Sequence, residues 1–189
     1  MDISNILDPG TRQAWRAWLE ANHTRCVEIW LLLRRERPSR LTYLEAVEEA
    51  LCFGWIDGLA KKHGNATAQR FTPRRPRSHW TELNKERARR LIAAGKMTEV
   101  GLQKLPDLSE REVQVPDDVR QRLEAEPGAW LFFQGCPPLY QRVRLGYIED
   151  VRKRDPKEFE KRLSHFVLKS GKRQLFGNWD DKGLPRSDE

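Results

Sequence analysis

The chain has 189 residues, of which 38% are apolar and 33% charged, and its formal net charge is +7. This length suits one ordinary domain, or a domain of about 100 residues with a smaller partner, and the composition excludes a wholly disordered chain. The longest apolar run, residues 29–33, is too short to cross a bilayer, and the first ten residues lack the apolar region of a signal peptide. Three scattered cysteines, Cys26, Cys52 and Cys136, are typical of reduced thiols. We therefore expect a cytoplasmic protein that does not insert into membranes.

The positive charge is concentrated in one segment. Residues 61–90 contain ten Lys and Arg against two acidic residues, a local charge of +8 that leaves −1 for the rest of the chain. Such a segment attracts phosphates, nucleic acid, anionic lipid head groups or acidic proteins, and charge alone does not choose among them.

The first part of the chain predicts a helix, a strand and a second helix. Apolar residues recur at helical spacing over residues 8–22, and they alternate over residues 27–33 as in a strand. Thr42 followed three residues later by Glu45 is a capping box, which predicts a helix over about residues 43–53.

A β-hairpin with a mobile tip is predicted next. Residues 55–57 and 69–72 have strand character and are separated by glycine, lysine and polar residues. Pro73 and Pro76 end the second strand, because a prolyl nitrogen has no hydrogen for a sheet ladder. An arginine-rich loop follows, and Thr81 then caps a helix over residues 83–94.

The remaining pattern predicts two folded parts. Residues 1–105, which end in a short helix over 100–105, form an α+β domain of a few short strands with packed helices. Residues 106–116 are a polar linker bracketed by two prolines. Residues 117–171 form a small helical module whose helices begin at prolines, and residues 172–189 are a polar tail expected to fray.

Several strings of residues resemble a known family. Residues 50–58 read ALCFGWIDG, residues 70–80 read RFTPRRPRSHW, and NKER and LIAAGKM follow at 84–87 and 91–97. In this order they resemble the signature of the YdeI/OmpD-associated, or bacteriocin-protection, family over residues 10–105. The second half, with Tyr147-Ile148-Glu149, resembles the helical OmdA module found at the end of such proteins, although the basic segment after it departs from that pattern. The resemblance implies a role in stress tolerance and in protection against cationic antimicrobial peptides or bacteriocins, and it supplies no catalytic residues.

The basic segment is the predicted binding surface. Guanidinium groups match phosphate and carboxylate oxygens, and the free N–H groups at the start of a helix add partial positive charge. We predict that the ligand-binding residues are Arg70, Arg74, Arg75, Arg77, Trp55, Trp80 and Thr81. The alternative is that these arginines form surface ion pairs or face water.

Single-stranded nucleic acid is one alternative ligand. Phe71, His79 and Trp80 interleave with the arginines, and rings beside cations suit stacking on unpaired bases. No helix-turn-helix, zinc-finger, RNA-recognition or KH signature is present, however, and Glu82 and Glu86 interrupt the positive charge.

An unrecognised enzyme is the other alternative. Asp57 lies in an apolar neighbourhood where a carboxylate could serve as a general base, with His63 or His79 beside it. The plainer interpretation is a turn aspartate, or an aspartate paired with an arginine of the basic loop. His23 and Cys26 have no second ligand pair with zinc-like spacing, so we predict no metal and no cofactor.

These observations favour a non-enzymatic, cytoplasmic stress-protection protein. The predicted partner is an anionic small molecule or an acidic protein, bound through the basic, aromatic segment. The sequence does not indicate an oligomeric state.

Overall fold

The computed structural model describes residues 3, 5–34, 41–76, 78–110 and 112–181. The chain divides into two compact units, Met1–His79 with Glu86–Leu108 and Trp80–Lys85 with Ser109–Glu189. The division after Leu108 falls in the segment interpreted as a linker. Residues 80–85, which the sequence placed in the first half, group with the second unit.

A mixed four-stranded sheet forms the N-terminal unit. The strands are β1 (Ile6–Leu7), β2 (Ile29–Leu33), β3 (Trp55–His63) and β4 (Ala66–Pro73), in the order β1-β2-β4-β3. The first pair is parallel and is connected through helix α1 (Arg12–Asn22), and the other two pairs are antiparallel. With the helices of both units, this confirms the predicted α+β class.

The predicted hairpin is present, but its strands are longer than the sequence indicated. They contain nine and eight residues and approach the turn at Gly64 and Asn65, where His63 pairs with Ala66. Two lysines near the end of β3, the half-buried Lys61 and the exposed Lys62, hid the strand pattern there, whereas the buried residues of this part of the hairpin lie on β4. Pro73 ends β4, as predicted from its missing N–H.

Side-chain caps fix four helix starts in the N-terminal half, the first at α1, where Thr11 Oγ1 accepts from the Ala14 amide at 3.1 Å. At α2 (Tyr43–Cys52) the predicted capping box is confirmed, because the Glu45 amide donates to Thr42 Oγ1 at 3.2 Å and the Thr42 amide donates to Glu45 Oε2 at 2.8 Å. Thr81 Oγ1 accepts from the Asn84 amide at 3.2 Å and caps α3 (Glu82–Ala93). Thr98 caps the short helix α4 (Glu99–Leu102).

Indole rings build the core of the N-terminal unit. Trp15 is fully buried, its ring centroid lies 5.6 Å from that of Phe71, and its Nε1 donates to the Ala46 carbonyl at 3.0 Å. Trp18 contacts Trp55 edge to face at 6.0 Å. The sheet and helices α1 and α2 are therefore joined by aromatic contacts and one buried hydrogen bond.

An ion-pair network connects α1 to α2. Glu49, whose side chain is 3% exposed, accepts from Arg12 Nε at 2.6 Å and from Arg16 Nη1 at 2.7 Å. Arg12 also pairs with Glu48 at 3.0 Å. Two carboxylates of α2, Glu48 and the buried Glu49, thus compensate two guanidinium groups on the facing helix.

The buried thiol of Cys52 predicts a loss of stability at alkaline pH. Burial, reinforced by the charge of Glu49, raises its pKa to about 11. An unfolded chain releases this proton near the ordinary thiol pKa, so the group's full contribution is present below that value and is lost as pH rises through 11. The difference between the folded and unfolded pKa values of this thiol corresponds to about 2–3 kcal/mol of unfolding free energy. We expect the unfolding free energy of the wild type to fall more steeply between pH 9 and 11 than that of Cys52→Ala; parallel curves in urea titrations would contradict this.

In the described part of the C-terminal unit, four helices follow the start of α3. They are α5 (Asp117–Ala125), α6 (Ala129–Gln134), α7 (Pro138–Glu149) and α8 (Pro156–Gly171), and their shared core includes Leu123, Phe133, Tyr140 and Phe166. Prolines open α7 and α8 as predicted, and the Asp155 carboxylate caps α8 through the Glu158 amide at 3.0 Å. None of the helices in the described part of the chain has the length and apolar character needed to span a bilayer.

Of the predicted polar tail, residues 172–189, the structure describes the part up to residue 181, and residues 182–189 lie outside the described residues. Over residues 172–181 the chain packs against the helical unit, with Phe176 on the core and Trp179 only 9% exposed. Tyr140 contacts both rings, at 6.4 and 5.6 Å. Two aromatic residues are enough to hold a short polar segment, because each buries a large apolar area.

Candidate functional site

The predicted binding residues have different surroundings. Arg70, on β4, donates from Nε to Glu28 Oε2 at 2.9 Å, and its Nη2 contacts the same oxygen. The Glu28 carboxylate therefore compensates the charge of Arg70, which corresponds to the ion-pair alternative considered above. Arg75 is exposed, and Arg77 lies outside the described residues.

Arg74 is buried and organises the loop that follows β4. Arg74 is 3% exposed, and its Nη1 donates to the His79 carbonyl at 3.1 Å. Burial lowers the pKa of Arg74 to about 10, while the negative charge of Asp57 acts in the opposite direction. The backbone amide of Arg74 also donates to the Gly54 carbonyl at 2.9 Å. Arg74 thus fixes the loop backbone.

Two of the predicted contact residues have packing or capping roles. Trp55 is 1% exposed and contacts Trp18, so its indole lies in the core and not on the surface of the basic loop. A tryptophan beside a basic loop has the same sequence pattern whether it faces inward or outward. Thr81 Oγ1 is occupied as the cap of α3, and Trp80 is half-buried.

Asp57 is held by a neighbouring hydroxyl. Tyr43 Oη donates to Asp57 Oδ2 at 2.7 Å, and the carboxylate charge acts on Arg74. Both histidines proposed as companions, His63 and His79, are exposed. The arrangement corresponds to the plainer interpretation, an aspartate that interacts with an arginine of the basic loop.

The C-terminal unit contains a cavity of about 530 Å³. It lies between α7, α8 and the packed segment after α8, and its apolar lining includes Ile148, Phe166 and Phe176. Its charged lining consists of Arg144, Lys161, Arg162 and Glu158. The three cations and one carboxylate give this lining a formal charge of +2, in which histidine is not counted.

Arg144 is the buried cation of this cavity. It is 7% exposed, and Nη2 donates to the Asn178 carbonyl at 3.1 Å, whereas Nε is buried without a hydrogen-bond partner. Its guanidinium carbon lies 5.1 Å from the ring centroid of Phe176 and 5.5 Å from that of Tyr147. Burial lowers its pKa, and within the described residues no carboxylate forms an ion pair with it. Rings and one neutral carbonyl compensate a buried charge only in part.

The other cations at the cavity have a partner or face solvent. Arg162 Nε donates to Glu158 Oε1 at 2.9 Å, and its guanidinium lies over the Tyr147 ring at 3.8 Å. The hydrogen bond from Arg162 lowers the pKa of Glu158. Lys161 approaches the same carboxylate at 3.7 Å, but its side chain is 80% exposed. Arg144 is therefore the cation that most needs a negative partner.

Sequence reasoning missed this cavity for an identifiable reason. The polar composition after Gly171 concealed Phe176, which forms part of one wall, and Arg144 lies next to core positions on an apolar helix face. A usable signal was present in LFGNW at residues 175–179, where three apolar residues cluster outside any helix.

Within the described residues, no group of three or more His, Cys, Asp and Glu side chains could hold a metal ion. The cavity lining has a single carboxylate and a single histidine, and cations dominate it. The lining therefore offers guanidinium and ammonium donors around an apolar floor.

Comparison with known families gives two matches. Residues 7–104 match a family described as a domain of unknown function (DUF8412). Residues 112–172 match the family described as "Bacteriocin-protection, YdeI or OmpD-Associated". No match was found among curated proteins or among solved structures.

The family resemblance drawn from the sequence is confirmed by the match over the C-terminal module. The signature strings at residues 50–97 lie within the DUF8412 match. The chain belongs to the DUF8412 family, whose model covers more than half of it, and it carries a C-terminal module of the YdeI/OmpD-associated, bacteriocin-protection type.

Proposed function

We propose that this protein takes part in protection against bacteriocins by binding an anionic ligand in the C-terminal cavity. The observation that carries the proposal is Arg144, a buried guanidinium that lines a cavity and has no carboxylate partner among the described residues. A bound anion would supply the missing charge where solvent screening is weak. The family match over residues 112–172, which includes the whole cavity lining except residues 176–178, supports the link to protection.

The proposed site replaces the basic segment as the main binding surface. Glu28 compensates Arg70, Trp55 is buried, and Arg74 fixes its own loop. A lining of charge +2 would repel a cationic peptide. The proposed protection therefore works through a separate anionic ligand and not through capture of the peptide in this cavity.

Survival of a bacterial host tests the proposal. Wild-type protein, Arg144→Met and Arg154→Met are produced at equal levels in a host without a related gene, which is then challenged with a bacteriocin. Arg154 is a matched control, because its side chain is 71% exposed in the same unit. We expect the wild type and Arg154→Met to raise survival equally and Arg144→Met to lose the effect. Equal protection by all three proteins, or by none, would contradict the proposal.

A further inference from the structure

We infer that the ligand of the C-terminal cavity is a monocarboxylate carried on a flat apolar body. This inference rests on the proposed function, since it identifies the chemical class of the anion. It follows from three features of the cavity: the number of buried charges, the nature of the walls, and the way in which Arg144 is held.

The cavity has one buried cation without a carboxylate partner among the described residues, Arg144, which suits a ligand with a single negative charge. Glu158 already compensates Arg162, and Lys161 is exposed, so Arg144 is the cation left for a buried ligand group. The other unit of the +2 lining charge belongs to the exposed Lys161, so a dianionic phosphate would have Arg144 as its one buried cation, and burying its second charge without a partner is costly. A carboxylate matches both the charge and the planar geometry of one guanidinium.

The walls suit an apolar body. A volume of about 530 Å³ is in the range of pockets for small organic ligands and greatly exceeds the size of an inorganic ion. Ile148, Phe166 and Phe176 line it, and His165 contacts Phe176 edge to face at 4.9 Å. A small ion would leave these surfaces in contact with water, whereas an aromatic body would cover them.

Gly177 positions the guanidinium. A Cβ at this residue would lie 2.5 Å from Arg144 Nη1, and the backbone has the left-handed φ of +68° that favours glycine. The segment after α8 therefore both accepts a hydrogen bond from Arg144, at Asn178, and leaves room for its side chain. A side chain at residue 177 should move the guanidinium without removing its charge.

Gly128 offers a matched control for this residue. It lies in the same unit, it has a similar φ of +75°, and a Cβ built there meets nothing within 4 Å. Gly177→Ala and Gly128→Ala thus carry comparable backbone strain, and they differ in the collision with Arg144.

Binding of three probes to the full chain, measured by calorimetry at constant ionic strength, tests the inference. The probes are 1-naphthoate, its neutral analogue 1-naphthamide, and inorganic phosphate. We expect 1-naphthoate to bind at least about tenfold more tightly than either of the others, since a buried charge-assisted hydrogen bond is worth about that factor. Arg144→Met and Gly177→Ala should each weaken naphthoate binding by a similar factor, and Gly128→Ala should not.

The outcomes separate this inference from the proposed function. Phosphate binding as tightly as naphthoate, with both lost in Arg144→Met, would overturn the inference and leave anion binding in place. Naphthamide binding as tightly as naphthoate, or no binding of either anion, would overturn both. If Arg144→Met fails to fold, the naphthoate affinities of Arg144→Lys and Gly177→Ala test the inference in its place. Unchanged affinity in both variants would overturn it.

Discussion

Replacing Glu49 by alanine is expected to lower the free energy of unfolding by about 3–5 kcal/mol, because it removes the carboxylate from a buried ion-pair network. Its side chain is 3% exposed and receives hydrogen bonds from Arg12 and Arg16 at 2.6 and 2.7 Å. Without it, the mostly buried Arg12 keeps a single carboxylate partner, Glu48, and Arg16 loses its carboxylate partner altogether. Urea unfolding followed by tryptophan fluorescence measures the change.

Glu124→Ala is the control for this effect. Glu124 pairs with Arg120 at 2.8 Å, a distance similar to those at Glu49, but the two side chains are 42% and 55% exposed. We expect its removal to cost less than about 1 kcal/mol, as is usual for solvent-exposed ion pairs. Equal losses in the two variants would show that burial of the Glu49 network contributes nothing.

Phe133→Ala is expected to destabilise the C-terminal unit by about 3–5 kcal/mol, the usual cost of removing a buried phenyl ring. Phe133 is 1% exposed and contacts Phe166 edge to face at a centroid distance of 5.4 Å. Because Phe166 lines the cavity, the substitution should also weaken ligand binding there. Thermal unfolding and calorimetry measure the two effects.

Leu131→Ala in the same helix is the matched comparison. Leu131 is 72% exposed, so its truncation should change the unfolding free energy by no more than about 0.5 kcal/mol. A large effect at Leu131, or a small one at Phe133, would mean that the core of this unit lies elsewhere.

Local sequence signals predicted much of the fold. The capping box at Thr42 and Glu45, the cap at Thr81, the end of β4 at Pro73 and the proline starts of α7 and α8 all depend on interactions within a few residues. Such signals can be read without knowing the tertiary structure. The two-residue strand β1 had no comparable signal, because it exists only through its pairing with β2.

The candidate site was harder to predict, because its properties depend on distant partners. Whether Arg70 is available depends on Glu28, which lies 42 positions away in the chain. Whether Trp55 faces outward depends on Trp18, and the importance of Arg144 depends on a segment 34 positions later. Charge density marks arginines in a sequence, but only tertiary contacts show which of them are compensated.

Anion binding in the C-terminal cavity is best tested by a crystal structure of the full chain with 4-bromo-1-naphthoate, located through the anomalous signal of bromine. We expect a bromine peak in the cavity lined by Ile148, Phe166 and Phe176, with the carboxylate turned toward Arg144. A cavity without the compound, or a compound bound instead beside an exposed arginine such as Arg75, would contradict it.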